Sequence, residues 1–149
     1  MTTTAVRRRM EILLVEDNLD DARTTIEALQ NENVHCRVSL VLDGEEALAF
    51  LHQEGVYAKA PRPDLILLDM ELPKKDGREV LREIREDPDL EHILVIVLTA
   101  SAVHRAVLAA QNLRVEGYMT KPVGLEQFII VIKSMRKSWL TESLAPQRE

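Results

Sequence analysis

Five short runs rich in apolar and β-branched residues recur along the chain, each followed by a segment with helical spacing, and this alternation constrains the fold more than any other feature. The runs are Ile12 to Val15, Arg37 to Leu42, Leu65 to Leu68, Leu94 to Leu98 and a weaker one around Tyr118 and Met119. Their length and residue types read as strands. The intervening segments, Asp20 to Gln30, Glu45 to Gln53, Arg78 to Glu86, Val103 to Asn112 and Leu125 to Ser138, read as helices. Strands that are apolar nearly throughout need cover on both faces, and right-handed crossover helices supply it. The expected fold is α/β: a doubly wound, five-stranded parallel sheet with five helices.

Local signals set the expected boundaries. Asp20 and Asp21 can cap and charge-stabilise the first helix, and Pro88 after Asp87 stops the third. Gly55, Pro61 and Pro63 mark Glu54 to Pro63 as a longer loop. With 149 residues and no internal repeat, the chain reads as one domain: an arm over 1–10, the folded unit over 11–140 and a tail over 141–149.

Charge and composition exclude several classes. A formal charge of −6, from 25 acidic and 19 basic residues, argues against direct nucleic-acid binding, which needs clustered cations. The basic run Arg7 to Arg9 reads as a solvated arm. No apolar run is long enough to span a bilayer, and Ile12 to Val15 ends at Glu16 and Asp17, too soon for an export signal. A cytoplasmic location is expected. The single cysteine, Cys36, reads as a buried, inert thiol. His35, His52, His92 and His104 are dispersed without metal-ligand spacing.

In open parallel sheets ligands bind beyond the carboxyl ends of the strands, near the point where strand order reverses. There the first run ends in Glu16-Asp17-Asn18, the third in Asp69 and the fourth in Thr99, while the fifth leads into Lys121-Pro122. Each residue alone has an ordinary use: Asp17 or Asp69 as a turn or helix cap, Lys121 as a solvated surface charge, Thr99 as a β-former. Together at successive strand ends they form a set. Three carboxylates at one edge repel unless something positive compensates, and a hard divalent cation together with Lys121 does so. Mg²⁺ suits Glu16, Asp17 and Asp69 with a phosphoryl group bound. The implied chemistry is phosphoryl transfer, with Asp69 as nucleophile and the metal, Lys121 and the Thr99 hydroxyl each holding a phosphoryl oxygen.

These residues sit in longer motifs. Ile12-Leu13-Leu14-Val15-Glu16-Asp17-Asn18, Pro63-Asp64-Leu65-Ile66-Leu67-Leu68-Asp69-Met70-Glu71-Leu72-Pro73, Asp76-Gly77, Leu98-Thr99-Ala100 and Gly117-Tyr118-Met119-Thr120-Lys121-Pro122 resemble the receiver domains of bacterial two-component response regulators, over about residues 11 to 140. The resemblance implies a flavodoxin-like sheet with strand order 2-1-3-4-5. It also implies that Asp69 is the phospho-acceptor, that Glu16, Asp17 and the carbonyl of Glu71 support Mg²⁺, and that Thr99 and Lys121 engage the phosphoryl group. Tyr118 is then the aromatic switch, the Lys121-Pro122 bond is cis, and the phosphate comes from a histidine on a separate kinase.

A narrower resemblance, to the small response regulators partnered with bacterial phytochromes, rests on Gly55-Val56-Tyr57 through Pro61-Arg62-Pro63, Lys74-Lys75-Asp76-Gly77-Arg78-Glu79-Val80-Leu81 and Ser138-Trp139-Leu140-Thr141. It implies a phytochrome-type histidine kinase as partner. Glu71 departs from that subgroup, which usually has Asn there; a carboxylate beside Asp69 would attract metal, repel incoming phosphate or simply point to solvent. Two other functions stay open: a Mg²⁺ phosphatase, which would want a second Asp where Glu71 stands and a cap domain, and a phosphorylation-independent scaffold. The last expectation is a homodimer. Leu125, Phe128, Ile129, Ile132 and Met135 make one helical stripe that leaves Ile130 and Val131 outside it, and Trp139, Leu140 and Leu144 add apolar residues to the tail.

Overall fold

A computed structural model of the chain describes residues 9–30, 34–99 and 112–135. The strands are β1 (Met10–Val15), β2 (Cys36–Val41), β3 (Leu65–Asp69), β4 (Leu94–Thr99) and β5 (Gly117–Thr120), all parallel, in the order β2-β1-β3-β4-β5. The described residues form four α-helices: α1 (Leu19–Leu29), α2 (Gly44–Leu51), α3 (Gly77–Glu86) and α4 (Leu125–Ser134), with a 3-10 turn at Gly55–Tyr57. This is the expected doubly wound, flavodoxin-like sheet. The helix expected over Val103 to Asn112 lies outside the described residues except for Asn112, which is not helical but sits in a left-handed turn at φ 56° that asparagine tolerates.

The central strands explain their own sequences. β3 and β4 are buried at every residue, so each reads as an unbroken apolar run rather than an alternating one. Successive residues of β1 feed opposite faces. Met10, Ile12 and Leu14 join Leu65, Leu67, Ile96 and Leu98 beneath α1 and α4, where Ala22, Leu29, Phe128 and Ile132 complete one core. Leu13 and Val15 join Ile66, Leu68, Val95 and Val97 beneath α2 and α3, packed by Ala47, Leu51, Val80, Leu81 and Ile84.

Element ends differ from the sequence reading for local reasons. β1 starts at Met10, two residues early, because Met10 pairs with Cys36 and its N–H donates to His35 O at 2.9 Å. The cap of α1 is Asn18, not Asp20 or Asp21: Asn18 holds the extended backbone required of a cap, and its Oδ1 accepts from Asp20 N and Asp21 N, both at 3.0 Å. The two aspartates occupy the first turn, where they complement the helix dipole. α2 ends at Leu51, short of Gln53, whose φ of 55° is left-handed. α3 stops at Glu86 because Asp87, before Pro88, is extended. α4 begins at Leu125 as expected and is described to Ser134; the expected end at Ser138 and the tail fall outside the described residues. Among the described residues, no helix is long and apolar enough to cross a membrane.

Candidate functional site

The chain visits β2 on one side of β1 and then returns to β3 on the other, so strand order reverses between β1 and β3. A crevice at such a reversal is where open parallel sheets take ligands. The register that pairs Val15 with Leu68 brings Glu16, just past β1, to the level of Asp69 at the end of β3. Thr99 ends β4, and its pairing with Thr120 puts Lys121 immediately past β5 at the same edge. Parallel pairing across four strands therefore assembles residues separated by up to 105 positions in the chain.

Glu16 and Asp69 are buried, while Asp17 is exposed. One carboxylate oxygen from each lies within 4.8 Å of the others. The Lys121 ammonium stands among them, 2.6 Å from Glu16 Oε1, 3.0 Å from Asp69 Oδ2 and 3.4 Å from Asp21 Oδ2. Asp69 Oδ1 accepts from the backbone N–H of Glu71 at 3.2 Å, and Glu16 Oε2 from that of Asn18 at 3.2 Å. Glu16 Oε1 is close to Lys121 but makes no aligned hydrogen bond.

Burial pushes the Glu16 carboxyl up to about 7, and the hydrogen bond and charge of Asp69 push the same way, against Lys121 and the Asn18 N–H. Burial disfavours the Lys121 charge, but the close Glu16 carboxylate, the hydrogen bond to Asp69 and attraction to both outweigh it and raise that pKa. The site is thus rich in negative charge that one ammonium does not balance. Hard oxygen donors this close, one of them buried without a well-directed hydrogen bond, fit a divalent cation such as Mg²⁺ or Mn²⁺.

The remaining expected residues are nearby or at the same edge. Thr99 is buried, and its carbonyl accepts from Lys121 N at 3.4 Å. Tyr118, half-buried opposite Val97, packs on the apolar cluster of the α2–α3 face. The Lys121-Pro122 bond is cis. Glu71 is exposed and lies outside the carboxylate trio; its backbone N–H donates to Asp69 Oδ1.

Two residues that the sequence reading placed only in a helix start and in a motif also contribute. Asp21, in the first turn of α1, reaches Lys121 across 100 positions of sequence, and its only signal was the Asn18-to-Asp21 capping spacing. Gly77 opens α3 against the end of β3: a Cβ there would lie 2.6 Å from Asp69 O and 2.8 Å from Met70 Cα. Its signal was the pair Asp76-Gly77, a cap residue followed by the one residue with no side chain to clash.

Comparison with known proteins agrees with this geometry. The response regulator receiver domain family model matches residues 12–133. The chain is 44% identical to response regulator Rcp1 of Synechocystis sp. over 135 residues, covering 91% of this chain and 92% of Rcp1. A crystal structure of Rcp1 in its Mn²⁺-bound form aligns with TM-score 0.73 over 93% of this chain and 99% of that one. The phosphorylated cyanobacterial phytochrome response regulator RcpA is 49% identical, with TM-score 0.75 over 94% of this chain and all of that one. The bacteriophytochrome response regulator RtBRR is 35% identical, with TM-score 0.82 over 95% of this chain and 84% of its own. Sheet order, strand-end residues and sequence relatives therefore converge: the chain belongs to the response regulator receiver domain family, whose members are phosphoacceptor switches.

Proposed function

We propose that this chain takes a phosphoryl group from a phytochrome-type histidine kinase onto Asp69 in a Mg²⁺-dependent step, in the cytoplasm, and signals through altered protein binding. The observation that carries this reading is the setting of Asp69: one carboxylate oxygen against the Lys121 ammonium, the other on the Glu71 N–H, and two further carboxylates beside it. A carboxylate oxygen of Asp69 attacks phosphorus in line, the P–N bond to the donor histidine breaks, and the imidazole keeps that electron pair and takes up a proton. Glu16, Asp17, Asp69 and the carbonyl of Glu71 are the residues that would hold Mg²⁺. A bound Mg²⁺ neutralises charge on the phosphoryl oxygens. Lys121 and the Thr99 hydroxyl each hold a further oxygen, and Thr99 and Tyr118 then shift together, altering the surface around β5 and α4. The Mn²⁺-bound Rcp1 supports a divalent ion, and RcpA and RtBRR support the phytochrome partner.

Acetyl phosphate with Mg²⁺, followed by intact mass, tests the acceptor: wild type gains one phosphate and Asp69→Asn does not. Equal incorporation by the two overturns the assignment, and none by wild type favours a phosphorylation-independent scaffold. Label transfer from phosphorylated kinases tests the partner, with faster transfer expected from a phytochrome kinase of the same genome than from an unrelated one.

One observation favours self-association as well. Ile130 on α4 is 68% exposed, as the helical stripe predicts, whereas Val131 is half-buried, its Cγ1 close against Gly117 of β5. We place a homodimer contact at Ile130. Sedimentation velocity over a concentration series should show a dimer that Ile130→Glu weakens.

A further inference from the structure

We propose that Asp21 is a positioning residue for phosphoryl transfer, tethering the Lys121 ammonium from the α1 side so that it stays aimed at Asp69. The proposal rests on the reading of Asp69 as acceptor. Lys121 Nζ has three carboxylate neighbours, and two of them, Glu16 and Asp69, belong to the trio suited to a cation. Once a cation and a phosphoryl group engage those two, their hold on Lys121 weakens. Asp21 lies outside the trio, with Oδ2 3.4 Å from Nζ, and remains as the counter-charge.

Its anchoring suits that task. The Asp21 backbone N–H is bonded to the Asn18 cap at 3.0 Å, which fixes the start of α1 to the end of β1, next to Glu16 and Asp17. A lysine is a point charge on a flexible stem, so its usefulness at a reacting centre depends on what holds it. Misplacement by about 1 Å can cost on the order of 10²-fold in rate. The Asp21 side chain is 43% exposed, so its ion pair is screened by water and its loss leaves the fold intact. Asp20 provides an internal comparison: it carries the same charge in the same helical turn, yet is not among the carboxylates around Lys121.

The test uses the full-length protein as wild type, Asp21→Asn, Asp21→Glu and Asp20→Asn. Mg²⁺ affinity is measured by titration calorimetry, and the rate of phosphate uptake from acetyl phosphate at saturating Mg²⁺ by intact mass. Asp21→Asn should transfer about 3- to 10-fold more slowly with Mg²⁺ affinity within about twofold of wild type, Asp20→Asn should stay within about twofold on both, and Asp21→Glu should recover much of the rate. An Asp21→Asn rate equal to or faster than wild type overturns the proposal. An equal loss in Asp20→Asn, or a loss accounted for by weaker Mg²⁺ binding, does the same. Wild type that takes up no phosphate overturns the acceptor reading and this proposal with it, whereas normal uptake by wild type with an unaffected Asp21→Asn overturns this proposal alone.

Discussion

Asp69 shares its strand ends with more carboxylates than the one ammonium there balances. Without a cation, Glu16, Asp17 and Asp69 crowd one another, with one ammonium against Glu16 and Asp69, and the Glu16 carboxyl rises to about 7 through burial and the nearness of Asp69. Asp69→Asn keeps an acceptor oxygen for the Glu71 N–H while removing one of the repelling charges. It should therefore stabilise the metal-free protein by about 1 kcal/mol in urea denaturation. That advantage should shrink in Mg²⁺, because a cation that binds the folded wild type stabilises it by mass action. At Cys36, burial and then the Glu11 charge push the thiol up to about 11 from an ordinary value of 9.0, with Arg9 opposing. The folded chain thus keeps this proton between pH 9 and 11 while the unfolded chain releases it, so this group's contribution to stability falls as pH rises through that window. Iodoacetamide labelling of the native protein should be slow at pH 8 and accelerate only towards pH 11.

Elements meet at the site through close backbone approaches. Gly77 is the one behind Asp69: α3 can start where it does only because no side chain stands between it and the carbonyl of Asp69. Gly77→Ala should cost about 2–3 kcal/mol, since both obstructing groups are backbone and cannot rotate away. Gly55→Ala is the comparison, strained by a φ of 56° but with nothing within 4 Å, and should cost only about 1 kcal/mol. Urea midpoints for the two variants check the order. The segment after β3 is tied down on its other side too: Lys74, at φ 65°, reaches Asp43 at 3.5 Å, and a Cβ at Gly44 would lie against Lys75 O. The alternating pattern of strands and helices was legible from residue types alone. The caps were less so, because Asn18, Asp20 and Asp21 are all competent caps and only the backbone turn selects among them.

Across the whole molecule, the candidate site and a stabilising clamp lie at opposite ends of the strands. Glu16, Asp69, Thr99 and Lys121 stand at the carboxyl ends, and the opposite edge holds a clamp around Arg85. Its guanidinium donates to the carbonyls of Arg114, Glu91 and Ile93, each at 2.9 Å, and forks onto Glu116 at 2.8 and 3.1 Å. Glu116 in turn accepts from Val95 N at 2.7 Å. The clamp joins α3 to the entrances of β4 and β5. Arg85→Ala should cost about 2–3 kcal/mol, because it leaves the largely buried Glu116 carboxylate with only the exposed Arg114 at 3.3 Å as counter-charge and removes a donor from each of three carbonyls. Phosphate uptake by the folded variant should remain near wild type, since the clamp is at the far end of the sheet from Asp69; urea denaturation and intact mass report the two quantities separately.

The sequence by itself determined the class of fold and the strand segments, and it named the polar residues that the fold gathers at one edge, because nearly continuous apolar runs suit central parallel strands and polar residues follow where they end. Strand order was decided by the way both faces of β1, β3 and β4 are buried at once, which no single segment specifies. Only the tertiary structure brought Asp21 to Lys121 and Arg85 to Glu116, 100 and 31 positions apart, because such pairs depend on side-chain reach across packed elements and leave no periodicity in the chain. The structure also decided that Glu71, an exposed residue, meets Asp69 through its backbone N–H, a matter of peptide orientation that residue identity does not encode.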